Sequence, residues 1–242
     1  MAVSIESNPE SDLSELMRFE RWLPSLLSVI AGMVDVIGFL TLGVFTAHIT
    51  GNLVVIAALL VRGGPPNLSQ VLAVPFFALA VAAVWLIAKA VERRGAALAR
   101  PLLVIQFLLL TCVLILSIIH SPAANRQSWM SVVIAMIAVS SMAGQSALLR
   151  LALPGAPSTI VMTSNLTNAT LSLLDTLSPG RPLTEGADEH LKKTSKVVIG
   201  FFAGCIAGAA AVSFLGEWAW LPPVVLAGGA CVWRLDGNAH TL

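Results

Sequence analysis

Charge is what this chain has least of. Lysine, arginine, aspartate and glutamate make up 11% of its 242 residues, where soluble domains carry roughly twice that fraction. An ordinary water-exposed surface is therefore excluded. Hydrophobic residues reach 57% and mean hydropathy is +0.86. Several apolar runs exceed the ~18 residues that suggest a bilayer crossing. The composition is that of an all-α integral membrane protein whose first partner is the lipid bilayer. A formal net charge of +1 without any basic run excludes a nucleic-acid surface.

Reactive groups are equally sparse. The three cysteines, Cys112, Cys205 and Cys231, all fall in apolar segments and read as small apolar filler. No CxxC or Cys/His cluster is present, so neither a metal, nor a cofactor, nor a disulfide framework is indicated. HExxH, Walker and GxSxG signatures are missing, and an intramembrane aspartyl protease would need a second acid opposite Asp35. The chain is not expected to be an enzyme. Residues 1–21 lack a positive n-region and a small-residue cleavage site, so a retained cytosolic tail is expected. Leu13, Leu16 and Met17 follow helical spacing there, which suits a short interfacial helix, with disorder as the alternative.

Eight apolar elements are expected, at 23–45, 50–62, 69–91, 99–119, 129–153, 160–177, 196–215 and 219–235. The second has only a dozen apolar residues before Arg62-Gly63-Gly64-Pro65, enough for about half of a ~30 Å hydrocarbon core. The sixth is studded with hydroxyls and amides. These two odd elements resemble each other. Ile49-Thr50-Gly51-Asn52-Leu53 aligns with Met162-Thr163-Ser164-Asn165-Leu166 at a constant offset of 113, and Ala31-Gly32 matches Ala143-Gly144 at 112.

Charge placement chooses between two topologies. If the two odd elements are re-entrant and six elements cross, 12 of 14 basic residues face the cytosol and only Arg62 and Arg126 lie outside. The positive-inside rule favours that arrangement, with both termini cytosolic in the inner membrane. Trp22 and Trp233 then mark the inner interface and Trp129, Trp218 and Trp220 the outer one, while Trp85 lies deeper than such an anchor should. The expected domain is 22–236, with repeat one at 22–120, repeat two at 128–236 and a tail at 237–242. Three crossings per repeat invert the second repeat relative to the first. Short interrupted segments at matching positions point to a transporter-like site.

The candidate site residues follow. Asp35 is the single mid-span acid, and an intramembrane carboxylate is costly enough to need a partner or a function. It is a candidate proton or cation site; a structural acid bonded to a neighbouring helix or to Arg150 is the alternative. Arg150 either partners Asp35 or an anionic solute, or snorkels to the interface. Gln145 lies one turn earlier. His48 belongs to the residue type that changes charge nearest neutral pH, yet a lone histidine is more often a satisfied hydrogen-bonding group. A helix following Gly51 would begin inside the membrane with unpaired N–H groups. Thr50 or Asn52 could cap it and Gly51 permits a tight reversal. Thr163, Ser164 and Asn165 repeat the arrangement, with polar glue between helices as the alternative. Gly200, Gly204 and Gly208 form a GxxxGxxxG ridge suited to close packing within the chain, or to a homodimer seam.

The stretches "AGMVDVIGFLTLGVFTAHITGN", "MAGQSALLR" and "IVMTSNLTN" together resemble the YoaK-like family of bacterial multi-span inner-membrane proteins. Gly32, Asp35, Phe39, Thr50, Gly51 and Asn52 match its first motif. Gly144, Gln145, Ala147, Arg150, Thr163 and Asn165 are similar to its second, which departs at Ser146 and Ser164. The resemblance implies a membrane protein and names no substrate. The expected function is secondary transport or facilitation of a small polar solute, with Asp35 as coupling group. Inward-pointing helix N-termini would favour an anionic or zwitterionic solute. A non-transporting scaffold or sensor, its polar cluster purely structural, is the alternative.

Overall fold

A computed structural model describes residues 9–93, 98–153, 155–159, 161–177 and 187–239. Among them are eight α-helices: α1 Pro9–Leu42, α2 Ile49–Arg62, α3 Leu68–Glu92, α4 Ala99–His120, α5 Trp129–Ala152, α6 Met162–Leu177, α7 Ala187–Leu215 and α8 Leu221–Ala239. A short 3-10 turn, Gly216–Trp220, joins the last two. No strand occurs among the described residues. Five segments are long and apolar enough to cross a membrane: Trp22–Leu42, Leu68–Glu92, Ala99–His120, Trp129–Ala152 and Leu191–Val232. The fifth covers both α7 and α8. The α2 helix is apolar but too short, and the hydroxyl-rich α6 does not qualify.

The backbone of residues 9–21 continues α1 as one helix, while residues 1–8 lie outside the described chain. The first apolar element also ends at Leu42 rather than 45, because Gly43 adopts a left-handed conformation that stops the helix and turns the chain.

Two helices are central. Most of α1 and α5 is buried, whereas α3 shows its flank to the outside along most of its length. Around them α7, α8 and α5 pack on α1, α3 and α4 pack on α5, α2 packs on α3, α6 on α7, and α4 on α8. α1 and α5 run antiparallel. Arg126, just before α5, donates to the Leu40 carbonyl near the end of α1 (2.7 Å), and Gln145, near the end of α5, donates to the Leu27 carbonyl in the first half of the α1 span (2.9 Å).

The closest approach is between α1 and α7, which run parallel. Gly200, Gly204 and Gly208 face Ser25, Val29 and Met33 in constant register, so that the glycine ridge lies against the α1 backbone. A β-carbon at Gly200 or Gly208 would come within 3.0 Å of the Ser25 carbonyl oxygen or 2.9 Å of that of Met33. At Gly204 it would overlap the Val29 carbonyl, and at Gly32 on the facing helix it would overlap that of Phe201. Ser28 adds a hydroxyl bond to the Val197 carbonyl (2.6 Å), and the Lys196 ammonium sits 4.7 Å from the centre of the Trp22 ring. In hydrocarbon, this backbone-to-backbone packing has to supply the association that burial from water supplies elsewhere.

The tryptophans divide. Trp22, Trp129 and Trp218 are exposed at helix ends, as anchors would be, but Trp220 is buried (1% exposed) because the 3-10 turn folds it inward. The Trp233 side chain lies outside the described residues.

Gly204→Ala and Gly32→Ala are expected to lower stability by about 3 kcal/mol each, since two backbones must move apart. Gly200→Ala and Gly208→Ala should cost less. Thermal denaturation of the purified variants in one detergent reads the order.

Candidate functional site: two inward returns of the chain

After Leu42 the chain turns back alongside α1 rather than leaving its end. Asp35 lies seven residues before that end, about 10 Å along the helix axis, and the returning segment 43–48 reaches it. Asp35 Oδ1 accepts from the backbone N–H of Thr46 (2.8 Å) and Ala47 (2.9 Å), with longer contacts to the His48 N–H (3.4 Å) and the Thr46 hydroxyl (3.5 Å). Its Oδ2 lies 2.7 Å from His48 Nδ1. The carboxylate is buried, at 4% exposure, and thereby satisfies peptide donors that hydrocarbon could not. His48 is only part-buried and its ring meets Phe201 of α7 edge-on, with centroids 5.0 Å apart.

Asn52 completes this return. Its side chain faces backward: Oδ1 accepts from the Phe45 N–H (2.9 Å) and Nδ2 donates to the Phe45 carbonyl (2.8 Å). One amide thus takes both backbone groups of a residue that no helix or strand serves. Phe45 in turn stacks on Phe39 (centroids 4.6 Å apart) and lies over Gly51, where a β-carbon would stand 3.1 Å from the ring. The expected roles shift accordingly. Neither Thr50 nor Asn52 caps α2; the N-cap position is His48, with no side-chain cap bond, and Thr50 is exposed. Gly51 makes room for a ring, and the reversal falls at Gly43.

The chain then comes back to where it started. Asn67, which N-caps α3 by accepting from the Ser69 N–H (3.0 Å), donates to the Leu42 carbonyl (3.1 Å), and Gln70 donates to that of Gly43 (2.9 Å). Segment 43–67 therefore leaves and rejoins the same end of the bundle.

The second half builds the same figure with other residues. Gln145 lies seven residues before the end of α5, as Asp35 does in α1. Its Nε2 donates to the Thr159 hydroxyl (3.0 Å) in the returning loop as well as to Leu27. Asn165 donates to the carbonyl of Ser158, seven residues upstream, as Asn52 does to Phe45. Thr46 and Thr159, Asn52 and Asn165 stand at the same offset of 113. A fourth polar group, Gln106 of α4, donates to Gln145 Oε1 (2.7 Å).

The structure thus gathers Asp35, His48 and Asn52 into one cluster and Gln145 and Asn165 into another. It leaves Thr50, Thr163 and Arg150 exposed and outside both. Arg150 does not partner Asp35; that place belongs to His48 and the loop backbone. Thr46 and Thr159 stand at the offset of 113, but threonine is unremarkable in apolar sequence and does not mark a site by itself. Phe45 and Ser158 act through their backbones, and Gln106 sits alone in an apolar run, so neither carried a sequence signal. No group of three or more His, Cys, Asp or Glu side chains converges among the described residues.

The helices and the twin returns define a multi-pass membrane helix bundle with irregular backbone buried inside it. The chain belongs to the family described as DUF1275, a protein family of unknown function, whose pattern it matches over residues 23–233, consistent with the resemblance in the sequence. No curated protein and no solved structure matches the chain.

Asp35→Leu should destabilise the fold by about 3 kcal/mol or more, because it orphans buried N–H groups. Asp35→Asn keeps an acceptor for Thr46 and Ala47 and should cost much less. Asn52→Ala strands both backbone groups of Phe45 and should cost about 2–4 kcal/mol. Melting temperatures of the three variants, compared side by side, check that order.

Proposed function

We propose that this chain is a secondary transporter or facilitator of a small polar solute, built from two inverted repeats. In this reading six segments cross the inner membrane, α2 and α6 are re-entrant, and both termini are cytosolic. The observation that carries it is the pair of returns, each entering about 10 Å and each fastened by a polar side chain on a central helix. Irregular backbone at membrane depth is tolerated where it is enclosed by protein or lines a cavity, and paired broken segments are the usual setting of transport sites. The helix neighbours support the repeat. Exchanging α1 with α5, α2 with α6, α3 with α7 and α4 with α8 leaves the set of packed helix pairs unchanged. The antiparallel α1 and α5 supply the inversion. The 42-residue stretch Leu191–Val232 is long enough for two crossings when it turns at Gly216–Trp220.

The two returns differ in one respect that bears on mechanism. The first is held by an ionisable pair, Asp35 and His48, and the second by the neutral Gln145 and Thr159. A proton reaching Asp35 would remove the charge that draws in the N–H groups of Thr46 and Ala47, loosening one return and leaving the other shut. That asymmetry suits a coupling role for Asp35. It also revises the solute. The chain's own carboxylate already occupies the place where an anion would meet the first return, and a neutral amide occupies the second, so a neutral solute fits better than an anionic one.

One observation favours the scaffold reading: both Asp35 oxygens are engaged within the chain. Proteoliposomes carrying an internal pH dye separate the two. Transport predicts that a member of a panel of small amides, polyols and amino acids drives proton movement with the parent protein and not with Asp35→Asn, while both melt at similar temperatures. Absence of movement with every member, together with an Asp35→Asn variant that melts far lower, would establish the cluster as structural.

The topology has its own check. A cysteine at Arg62 should react with a membrane-impermeant maleimide from the periplasmic face only. Labelling from the cytosolic face would remove the re-entrant geometry and the inversion with it.

A further inference from the structure

We infer that the seam between α4 and α5 contains the solute site, and that it takes a small neutral molecule of the amide or polyol class. This rests on the transport reading and names its substrate. The first support is hydrogen-bond accounting. The Leu27 carbonyl can only accept, so Gln145 must turn its Nε2 toward it, and the same nitrogen reaches Thr159. Gln145 Oε1 is then left for Gln106, which must present its own Nε2 at 2.7 Å. Gln106 cannot flip without setting two carbonyl oxygens against each other. Its Oε1 is therefore committed to the other side, and there it is buried with no partner (Gln106 is 1% exposed).

Ser141 supplies the second support. It lies four residues before Gln145, on the same face of α5, fully buried, and its hydroxyl also has no partner. A buried helix serine can normally bond back to the carbonyl one turn earlier, as the adjacent Ser140 does to Met136 (2.8 Å). Ser141 is turned away from that bond. Two unmet polar groups this deep call for a molecule between the helices.

The third support is room. Gly144, three residues from Ser141, is buried, yet a β-carbon there would meet no heavy atom within 4 Å. Its counterpart Gly32 is pressed against the α7 backbone. The repeat thus has helix backbone in one half and open space in the other. Gln106 and Thr159 both bond to Gln145, and Ser141 lies one turn from it on α5; none of the four ionises. A charged solute would be desolvated without compensation. A neutral molecule that donates to Gln106 Oε1 and exchanges a hydrogen bond with Ser141 meets both needs. Water shares this chemistry, and the experiment separates water from solute.

The test is the melting temperature of the full chain in detergent, titrated with acetamide, urea and ethylene glycol, for the parent, Gly144→Ala and Gln106→Leu. A bound ligand raises the melting temperature by mass action. The expected result is a saturating rise with at least one probe in the parent. Gly144→Ala should melt no lower than the parent without ligand, since alanine is the better helix former and has space, and should lose the probe's effect. Gln106→Leu should lose it too. A Gly144→Ala variant that melts far below the parent would mean the space is absent. A probe that shifts parent and Gly144→Ala equally binds elsewhere. If no probe shifts the parent while Asp35-dependent proton movement persists, the seam holds water only, and the transport reading survives without this site. Any one of these three results overturns the inference.

Discussion

Within a bilayer a peptide N–H that leaves a helix has no water to bond to, and this constraint shapes the whole chain. Its answer is to set a polar side chain seven residues inside the end of each central helix and fold the next loop back onto it. In the first half one carboxylate serves Thr46, Ala47 and His48 together. In the second a glutamine amide serves Thr159 and reaches across to α1 and α4 as well. An asparagine, fourth residue of the following short helix, then takes up backbone that would otherwise be stranded. Everything else follows from letting these returns exist: short helices that start inside the bundle, and glycines where helices must come close enough to enclose them.

The two halves keep the geometry while exchanging the chemistry. Where one has an acid and a histidine, the other has neutral amides and hydroxyls. Where one has glycine pressed against backbone, the other has glycine beside open space. The transport proposal rests on the first contrast, an ionisable pair in one return and none in the other, and the proposed neutral solute rests on the uncharged donors and acceptors of the second. Both proposals come from the differences between the two halves rather than from their likeness.

Much of this was legible before any coordinates. The helix count, the two short odd elements, the 113-residue offset and the oddity of Asp35, Asn52, Gln145 and Asn165 in apolar surroundings all follow from hydropathy and polar residues out of place. What could not be read was direction. Asn52 has the position of a helix cap but faces backward to Phe45, and no residue pattern distinguishes the two. Arg150 has the right charge to meet Asp35 and lies on an exposed surface instead. The partners that matter most, the N–H groups of residues 46 and 47 and the carbonyls of 27 and 158, belong to the backbone, which every residue carries alike. Gln106 was hidden for another reason: its meaning depends on α4 meeting α5.

The glycine contacts carry a consequence for the order of assembly. Asp35 finds its partners 11 to 13 residues downstream, so the costly acid can be hydrogen-bonded almost as soon as the first span is made. The α1 backbone opposite the ridge waits for residues about 175 positions later. Until α7 arrives, α1 exposes the backbone at Ser25, Val29 and Met33 and the Ser28 hydroxyl, whose partner Val197 is nearly as distant in sequence. Nascent chains interrupted before α7 would present that face to other membrane helices. The parallel fit of the first and seventh helices, where glycine meets backbone, thus has to wait for nearly the whole chain to be made.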